Sequence, residues 1–326
     1  MSRRRLLFVC YPDTNHPIGG VKQIYRQVEL LNNAGWDAFV LQEQPGFRAS
    51  WFKHSAPVMD LESYTQSHPS SDGDLLILPE TWLNNAPGYW PGIPKIIFNQ
   101  NAFYSFGLNG DCNERTLELY QNPDIHAVVT VSNDSRNLLV EGCGIAGDRC
   151  SVLINGIDQQ LFHPPAVKHR RVVFLGRKHA DHARKVALMA SQDQQLKNVD
   201  FHELPRMQHD EVALALQEAL IYLSCGHPEG FGLPLAEAIA CGCMVVGYHG
   251  LAGRDFALPH MKVVEFGDLL GLLQGIKSEL AHFDANREQV IQERLEASRL
   301  ILQRYSLEEE QACCLRTWTH LCPAIL

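Results

Sequence analysis

Short apolar runs alternate with helical periodicity along the whole chain. In the first half the runs are LLFVCY (6–11), DAFVL (37–41), DLLILP (74–79), KIIFNQ (95–100), AVVTVS (127–132) and CSVLIN (150–155). They are rich in leucine and β-branched residues and do not alternate strictly. That is the pattern of strands covered on both faces. Between them, VKQIYRQVELLNNAG (21–35) sets Val21, Ile24, Val28 and Leu31 on one stripe and closes at Gly35, which predicts an amphipathic helix with a glycine stop. NDSRNLLVEG (133–142) opens a second helix on an Asn or Asp cap.

The same logic restarts downstream. Strands are predicted at RVVFLG (171–176), VDFHEL (199–204), IYLSC (221–225), MVVGY (244–248) and MKVVEF (261–266), with helices near 181–196, 209–219, 233–241 and 268–283. Strand–helix alternation in two blocks predicts an α/β protein of two doubly wound domains. The segment 155–171 has a proline pair, polar residues and no periodicity, so it reads as a linker. The expected domains are 1–160 and 161–305. The tail reads as helices at 285–305 and 306–321, with Ser306 and Glu309 forming a capping-box pattern. The piece 306–326 is a C-terminal helix that could pack back on the first domain.

Composition narrows the function classes. The 326 residues are 45% hydrophobic and 20% charged, enough apolar material for two cores. A formal net charge of -9 gives nucleic-acid binding no electrostatic support. No apolar run approaches a membrane span, and the apolar stretch after the first arginines is too short for a signal peptide. The ten cysteines show no zinc-type pairing, and several lie in apolar strands. They read as reduced thiols, hence a cytoplasmic protein. HADH (179–182) reads as a basic loop beside Arg177 and Lys178, not as a metal site.

The chemistry concentrates in HPEGFGLPLAEAIACG (227–242). Glu229 and Glu237 stand among Gly, Ala, Leu, Pro, Ile and Phe, where an unpartnered carboxylate is costly. Either both acids reach water or donor groups come to meet them. The loop leaves the carboxyl end of a strand, and Gly230, Gly232 and Leu233 lead into a helix start. Free N–H groups and the positive helix end favour an anion there. Two acceptors flanking such a site suit a ligand with hydroxyls on both sides of a diphosphate, as in a nucleotide sugar.

EGFGLPLAEA, with two glutamates separated by seven residues, resembles the E-x7-E motif of retaining glycosyltransferases of family four, the group 1 glycosyl transferases with the GT-B fold. HPIGGVKQIYRQVELLNNAGWDA resembles that family's first glycine loop and helix. VSNDSRNLLVEGCGIAGDRCSVLINGIDQQLFHP resembles its passage into the linker, and FLGRK the start of its second domain. The resemblance covers nearly the whole chain in the right order. It implies two Rossmann-like domains facing across a cleft: an acceptor domain, then a nucleotide-sugar donor domain, with closure about 155–170.

By that resemblance Glu229 holds donor-sugar hydroxyls and Glu237 accepts from the ribose. Gly230, Phe231, Gly232 and Leu233 turn backbone N–H groups to sugar and diphosphate. Arg177 neutralises the leaving diphosphate together with Lys178 or Lys185, a choice the sequence leaves open. Gly19 and Gly20 let the first domain's loop close over the phosphates. Many relatives have a histidine near the donor sugar where this chain has Asn99, Gln100 and Asn101. These amides either contact the sugar or only cap the turn. Asp13 and His16 read as turn residues before Pro17 and not as a catalytic base.

The implied activity is metal-independent transfer of a sugar, with retention, from a nucleotide diphosphate sugar to an acceptor hydroxyl. The expected setting is polysaccharide or cell-envelope glycan synthesis. No cofactor is expected beyond the donor substrate. The acceptor would be a glycan or lipid-linked glycan, with peripheral contact at the inner membrane face left open. Three alternatives remain: an inverting transferase, an epimerase of the same fold, or a non-catalytic nucleotide-sugar-binding subunit. The aromatic-rich stretches 51–58 and 81–92 could stack on a sugar or simply pack, with packing the preferred reading.

Overall fold

The computed structural model describes residues 4–12, 18–107, 112–205 and 208–322. Its contacts divide into two units, one made of Met1–Asn155 with Glu310–Leu326, the other of Gly156–Glu309.

In the first unit the apolar runs become β1 (Arg5–Cys10), β2 (Ala38–Gln42), β3 (Val58–Asp60), β4 (Asp74–Pro79), β5 (Lys95–Asn99), β6 (Ile125–Thr130) and β7 (Cys150–Val152). They form one sheet in the order β3-β2-β1-β4-β5-β6-β7, and every pairing is parallel. Parallel neighbours need crossovers, supplied by α1 (Gly19–Asn33), α2 (Leu61–Gln66), α3 (Thr116–Tyr120) and α4 (Asn133–Asn137). Sequence reading misses β3 and α2, because a three-residue edge strand and a six-residue helix are too short to show a period. Asp60 starts α2 by accepting a hydrogen bond from the Ser63 N–H at 2.8 Å. The expected helix 133–142 changes after Asn137 into a wider π-type turn, Leu138–Gly142.

The second unit holds β8 (His169–Leu175), α5 (Ala180–Ala190), β9 (Asp200–Leu204), α6 (His209–Glu218), β10 (Ala219–Ser224), α7 (Leu233–Ala240), β11 (Met244–Gly247), β12 (Met261–Val263), α8 (Leu269–Ala285) and α9 (Arg287–Arg304). The sheet order is β12-β11-β10-β8-β9, again all parallel. Val172, Phe174, Val186, Leu223, Val246 and Leu272 centre its core. At Gly247, φ is +130° and a Cβ would lie 2.1 Å from the Ser224 carbonyl oxygen, so only glycine permits that approach to β10.

The last helix, α10 (Leu307–Leu321), packs in the first unit from Glu310 onward. Trp318 is fully buried, its ring edge-on to Phe8 at 5.2 Å, and its indole N–H donates to Gln27 Oε1 at 3.4 Å. Glu310, also buried on this helix, pairs with Arg26 of α1. The Ser306 hydroxyl accepts from the Glu309 N–H at 3.0 Å, one half of the expected capping box.

Cys112 is exposed and Cys313 half-buried; the other cysteines are buried, and all are free thiols. Among the described residues no helix is long and apolar enough to cross a membrane.

In each sheet the first strand pairs on one side with its successor and on the other with a later strand. β1 lies between β2 and β4, and β8 between β9 and β10. The chain therefore leaves in opposite directions on the two sides, opening a crevice beyond the carboxyl ends of those strands.

Candidate active site

The crevice of the second unit opens past β8 and β10. β8 runs into Gly176, Arg177 and Lys178, and β10 into a loop that reaches Glu229 before α7 begins. Arg177, Lys178, Tyr222, Glu229, Tyr248 and His249 line one pocket there, with Gly226, Gly232 and Gly250 in its floor.

Glu229 is aimed by backbone and by missing side chains. Its N–H donates to the Gly250 carbonyl at 2.8 Å, and it forms a parallel bridge with Leu251. A Cβ on Gly226 would stand 2.9 Å from Glu229 Oε1, and one on Gly250 would stand 3.1 Å from its Cβ and Cγ. Two glycines thus box the side chain. Its carboxylate does not face water alone: Lys178 Nζ lies 3.0 Å from Oε2 and also donates to the Pro228 carbonyl at 2.6 Å. Of the two outcomes expected for a carboxylate here, a donor group coming to meet it applies to Glu229, and that donor is Lys178. A carboxylate offers about four acceptor positions, so this leaves others available.

Between the two candidate lysines the geometry separates sharply. Lys178 lies in the pocket. Lys185 sits on the outer face of α5, more than half exposed, paired one turn back with Asp181 at 2.7 Å, and it is not among the residues lining the pocket. Arg177 is exposed at the pocket wall, and its guanidinium has no ion pair or hydrogen bond among the described residues. HADH is less open than a basic loop. His179 Nε2 is 2.9 Å from the His227 carbonyl and His182 Nδ1 is 2.9 Å from the Tyr248 hydroxyl, so both rings brace the pocket's neighbours. Ligand atoms of His179, Asp181 and His182 come within 4.8 Å of one another, with Asp181 engaged by Lys185.

α7 is capped by Gly232, whose φ of +89° favours glycine. Leu235 and Ala236 return their N–H groups to the Gly232 carbonyl, and Pro234 has none. The N–H of Leu233 therefore precedes the first closed helical bond, at the positive end of the helix. Phe231 contributes backbone only. Its side chain is buried, with its ring against Phe256 at 5.3 Å and Tyr305 at 5.1 Å, so it anchors the loop from beneath. Glu237 lies outside the pocket lining. It is 6% exposed, and His209 Nε2 is 3.0 Å from its Oε1.

In the first unit the three amides divide. Asn99 is fully buried and donates to the Ser105 hydroxyl at 2.8 Å and the Tyr120 hydroxyl at 2.9 Å. Asn101 is buried and caps the following turn by accepting from the Phe103 N–H at 3.2 Å. Asn99 spends its amide donors on these two hydroxyls, and the Asn101 side-chain oxygen caps the turn. Gln100 alone is half-buried. Its N–H donates to Glu80, which is buried at the end of β4, and its side chain donates to the Gly20 carbonyl at 3.1 Å. A Cβ on Gly20 would stand 3.2 Å from that amide. Gly19 and Gly20 form the first turn of α1 itself, not a loop ahead of it, which corrects the expected helix start at 21. Asp13 and His16 lie outside the described residues.

Sequence reasoning missed Gly226, Gly250, His209 and Tyr248. Nothing local marks them, because each matters through a contact with a residue far along the chain.

Residues 164–256 match the family model described as glycosyl transferases group 1. No curated protein matches the chain. Among solved structures, sucrose-phosphate synthase from Thermosynechococcus elongatus is 17% identical, with 99% of this chain and 100% of that one covered at a TM-score of 0.73. A glycosyltransferase from Rickettsia africae is 13% identical over 98% and 99%, at 0.72. HepE of Anabaena, solved with UDP and glucose, is 15% identical over 96% and 99%, at 0.71. The acids, glycines and basic residues of the pocket all lie inside the segment that matches the group 1 glycosyl transferases, and the chain has the GT-B fold of these solved structures.

Proposed function

We propose that the protein is a retaining glycosyltransferase that moves a sugar from a nucleotide diphosphate sugar to an acceptor hydroxyl, in the synthesis of a polysaccharide or cell-envelope glycan. The observation that carries this reading is the convergence of Arg177, Lys178, Glu229 and the start of α7 at the carboxyl ends of β8 and β10. Cations, a helix N-terminus and an acid in one crevice match an anionic leaving group attached to a hydroxylated sugar. The HepE structure with UDP and glucose suggests a uridine diphosphate sugar as the first donor to try.

The barrier in such a transfer is departure of the nucleoside diphosphate, which leaves positive charge on the sugar. Arg177 meets the growing charge on the phosphates, with no protein anion to give up first. Lys178 shifts its charge from Glu229 toward the diphosphate. Backbone N–H groups of Gly230–Leu233 add fixed dipoles that need no reorganisation. Glu229, relieved of Lys178, accepts from the sugar hydroxyls. The acceptor's proton goes to the departing phosphate oxygen on the same face, which gives retention. These residues supply the positive charge that a metal supplies elsewhere, so no metal or cofactor enters the scheme.

Glu229→Ala is expected to abolish transfer while its circular dichroism and melting temperature stay near wild type. Arg177→Ala should weaken nucleoside diphosphate binding ~10-fold or more in calorimetry, the scale of one hydrogen bond to a charged group. A well-folded Glu229→Ala protein that turns over donor normally would reject the reading. Product anomeric configuration separates retention from inversion, and tight donor binding without turnover of any acceptor would mark a binding subunit.

A further inference from the structure

Glu237 raises a problem that its own helix does not solve. It lies on α7 in a run, Leu235–Ala240, that is buried throughout. A buried carboxylate needs donors. Among the described residues the one side chain that reaches it is His209, at the first position of α6, whose Nε2 is 3.0 Å from Oε1. The imidazole is held in turn by Phe162, edge-on at 4.9 Å. The position of α6 itself is fixed by its capping box, where Glu211 accepts from the Gln208 N–H at 2.8 Å. A chain of contacts therefore runs from a helix cap through a ring to one carboxylate oxygen. The other oxygen, Oε2, has no protein hydrogen bond among the described residues, and the side chain keeps 8% exposure.

We propose that His209 is a positioning residue for the donor site. By occupying Oε1 it fixes the carboxylate plane and leaves Oε2 as the acceptor offered to a ribose hydroxyl. This rests on the proposed transferase function and on the ribose contact that the family resemblance implies for Glu237. His209 itself touches no donor atom in this scheme. Without it, Glu237 turns to find another donor, and the ribose loses a preorganised acceptor.

The test uses the full chain, with UDP, ADP and GDP and their 2′-deoxy forms as calorimetric probes. Wild type should prefer the ribonucleotide that it binds best over its 2′-deoxy form. His209→Ala should lose ~10-fold in affinity for that ribonucleotide, as for one hydrogen bond to a charged group, and much of the preference over the 2′-deoxy form. Donor KM should rise in parallel, with kcat within about twofold once donor saturates. His209→Gln, whose amide nitrogen can stand where Nε2 stood, should recover both. His209→Asn, one bond shorter, should not. A purely structural role would lower melting temperature alone, or weaken both nucleotide forms equally, and either result overturns the inference. So does ribonucleotide preference equal to wild type in the Asn variant, which also covers an Ala variant that fails to fold. If wild type binds none of the probes, the donor reading itself falls, and this inference with it.

Discussion

Gly250 shows how a residue with no side chain can direct one that has chemistry. Its φ is +66°, its carbonyl accepts from the Glu229 N–H, and a Cβ there would press on the Gly226 carbonyl oxygen at 2.9 Å and on Glu229 at 3.1 Å. Gly250→Ala should therefore cost about 1–2 kcal/mol from the left-handed backbone alone and also push Glu229 aside. The expected outcome is a modest fall in melting temperature with a much larger fall in kcat/KM. Wild-type kcat/KM in the variant would mean that the aim of Glu229 is unimportant. His227, in the same loop, adds a pH dependence. Burial, with His179, His249 and Lys178 nearby, holds its pKa below the ordinary 6.5. The folded state then resists protonation more than the unfolded one does, so stability is full above that value and falls as pH drops below it. Its ring stacks on Phe266 at 4.5 Å, which makes His227→Phe the fitting variant. Melting temperature should decline less between about pH 7 and 5 in that variant than in wild type; an unchanged slope would remove His227 from the account.

At the scale of elements, α7 was the part most open to reading from its letters. Gly232, Pro234 and the closing Gly242 mark a start and a stop, and the helix runs Leu233–Ala240 as that punctuation implies. What the letters could not show is how completely it is enclosed. α9 closes it from one side, where the Ser298 hydroxyl donates to the Ala240 carbonyl at 2.5 Å and satisfies an otherwise open helix end. That enclosure is why Glu237 needs His209. The strands were legible for a related reason. β1, β4 and β10 are buried almost throughout and are written in apolar residues almost throughout. Elements that failed to register were those whose length is set by neighbours, such as β3 on the edge of its sheet and the 3-10 stretch Glu80–Gly88. The two lysines illustrate the same limit within one helix turn and its approach. Lys178 and Lys185 are equally plausible on paper, but only the end of β8 delivers its lysine to the pocket; α5 carries the other outward.

Across the whole molecule, stability and chemistry are seated in different places. The first unit depends on a segment from the far end of the chain, since Trp318 of α10 fills the space beside Phe8 of β1. Trp318→Ala should cost ~3–5 kcal/mol, the usual range for a large buried aromatic, and lower the melting of that unit. Nucleoside diphosphate affinity should stay within about twofold of wild type, because every residue of the binding pocket belongs to the second unit. A parallel loss of affinity would contradict that separation. The sequence by itself determined the two parallel α/β sheets and the acid-and-glycine loop, because strand burial and helix punctuation are written locally in residue type and spacing. Only the tertiary structure decided which groups meet. Lys178 with Glu229, His209 with Glu237, Gly250 beneath the first acid and Asn99 locked among hydroxyls all join residues distant in the chain. Such pairings depend on where strand ends converge, and no local pattern of hydrophobic and polar residues encodes that.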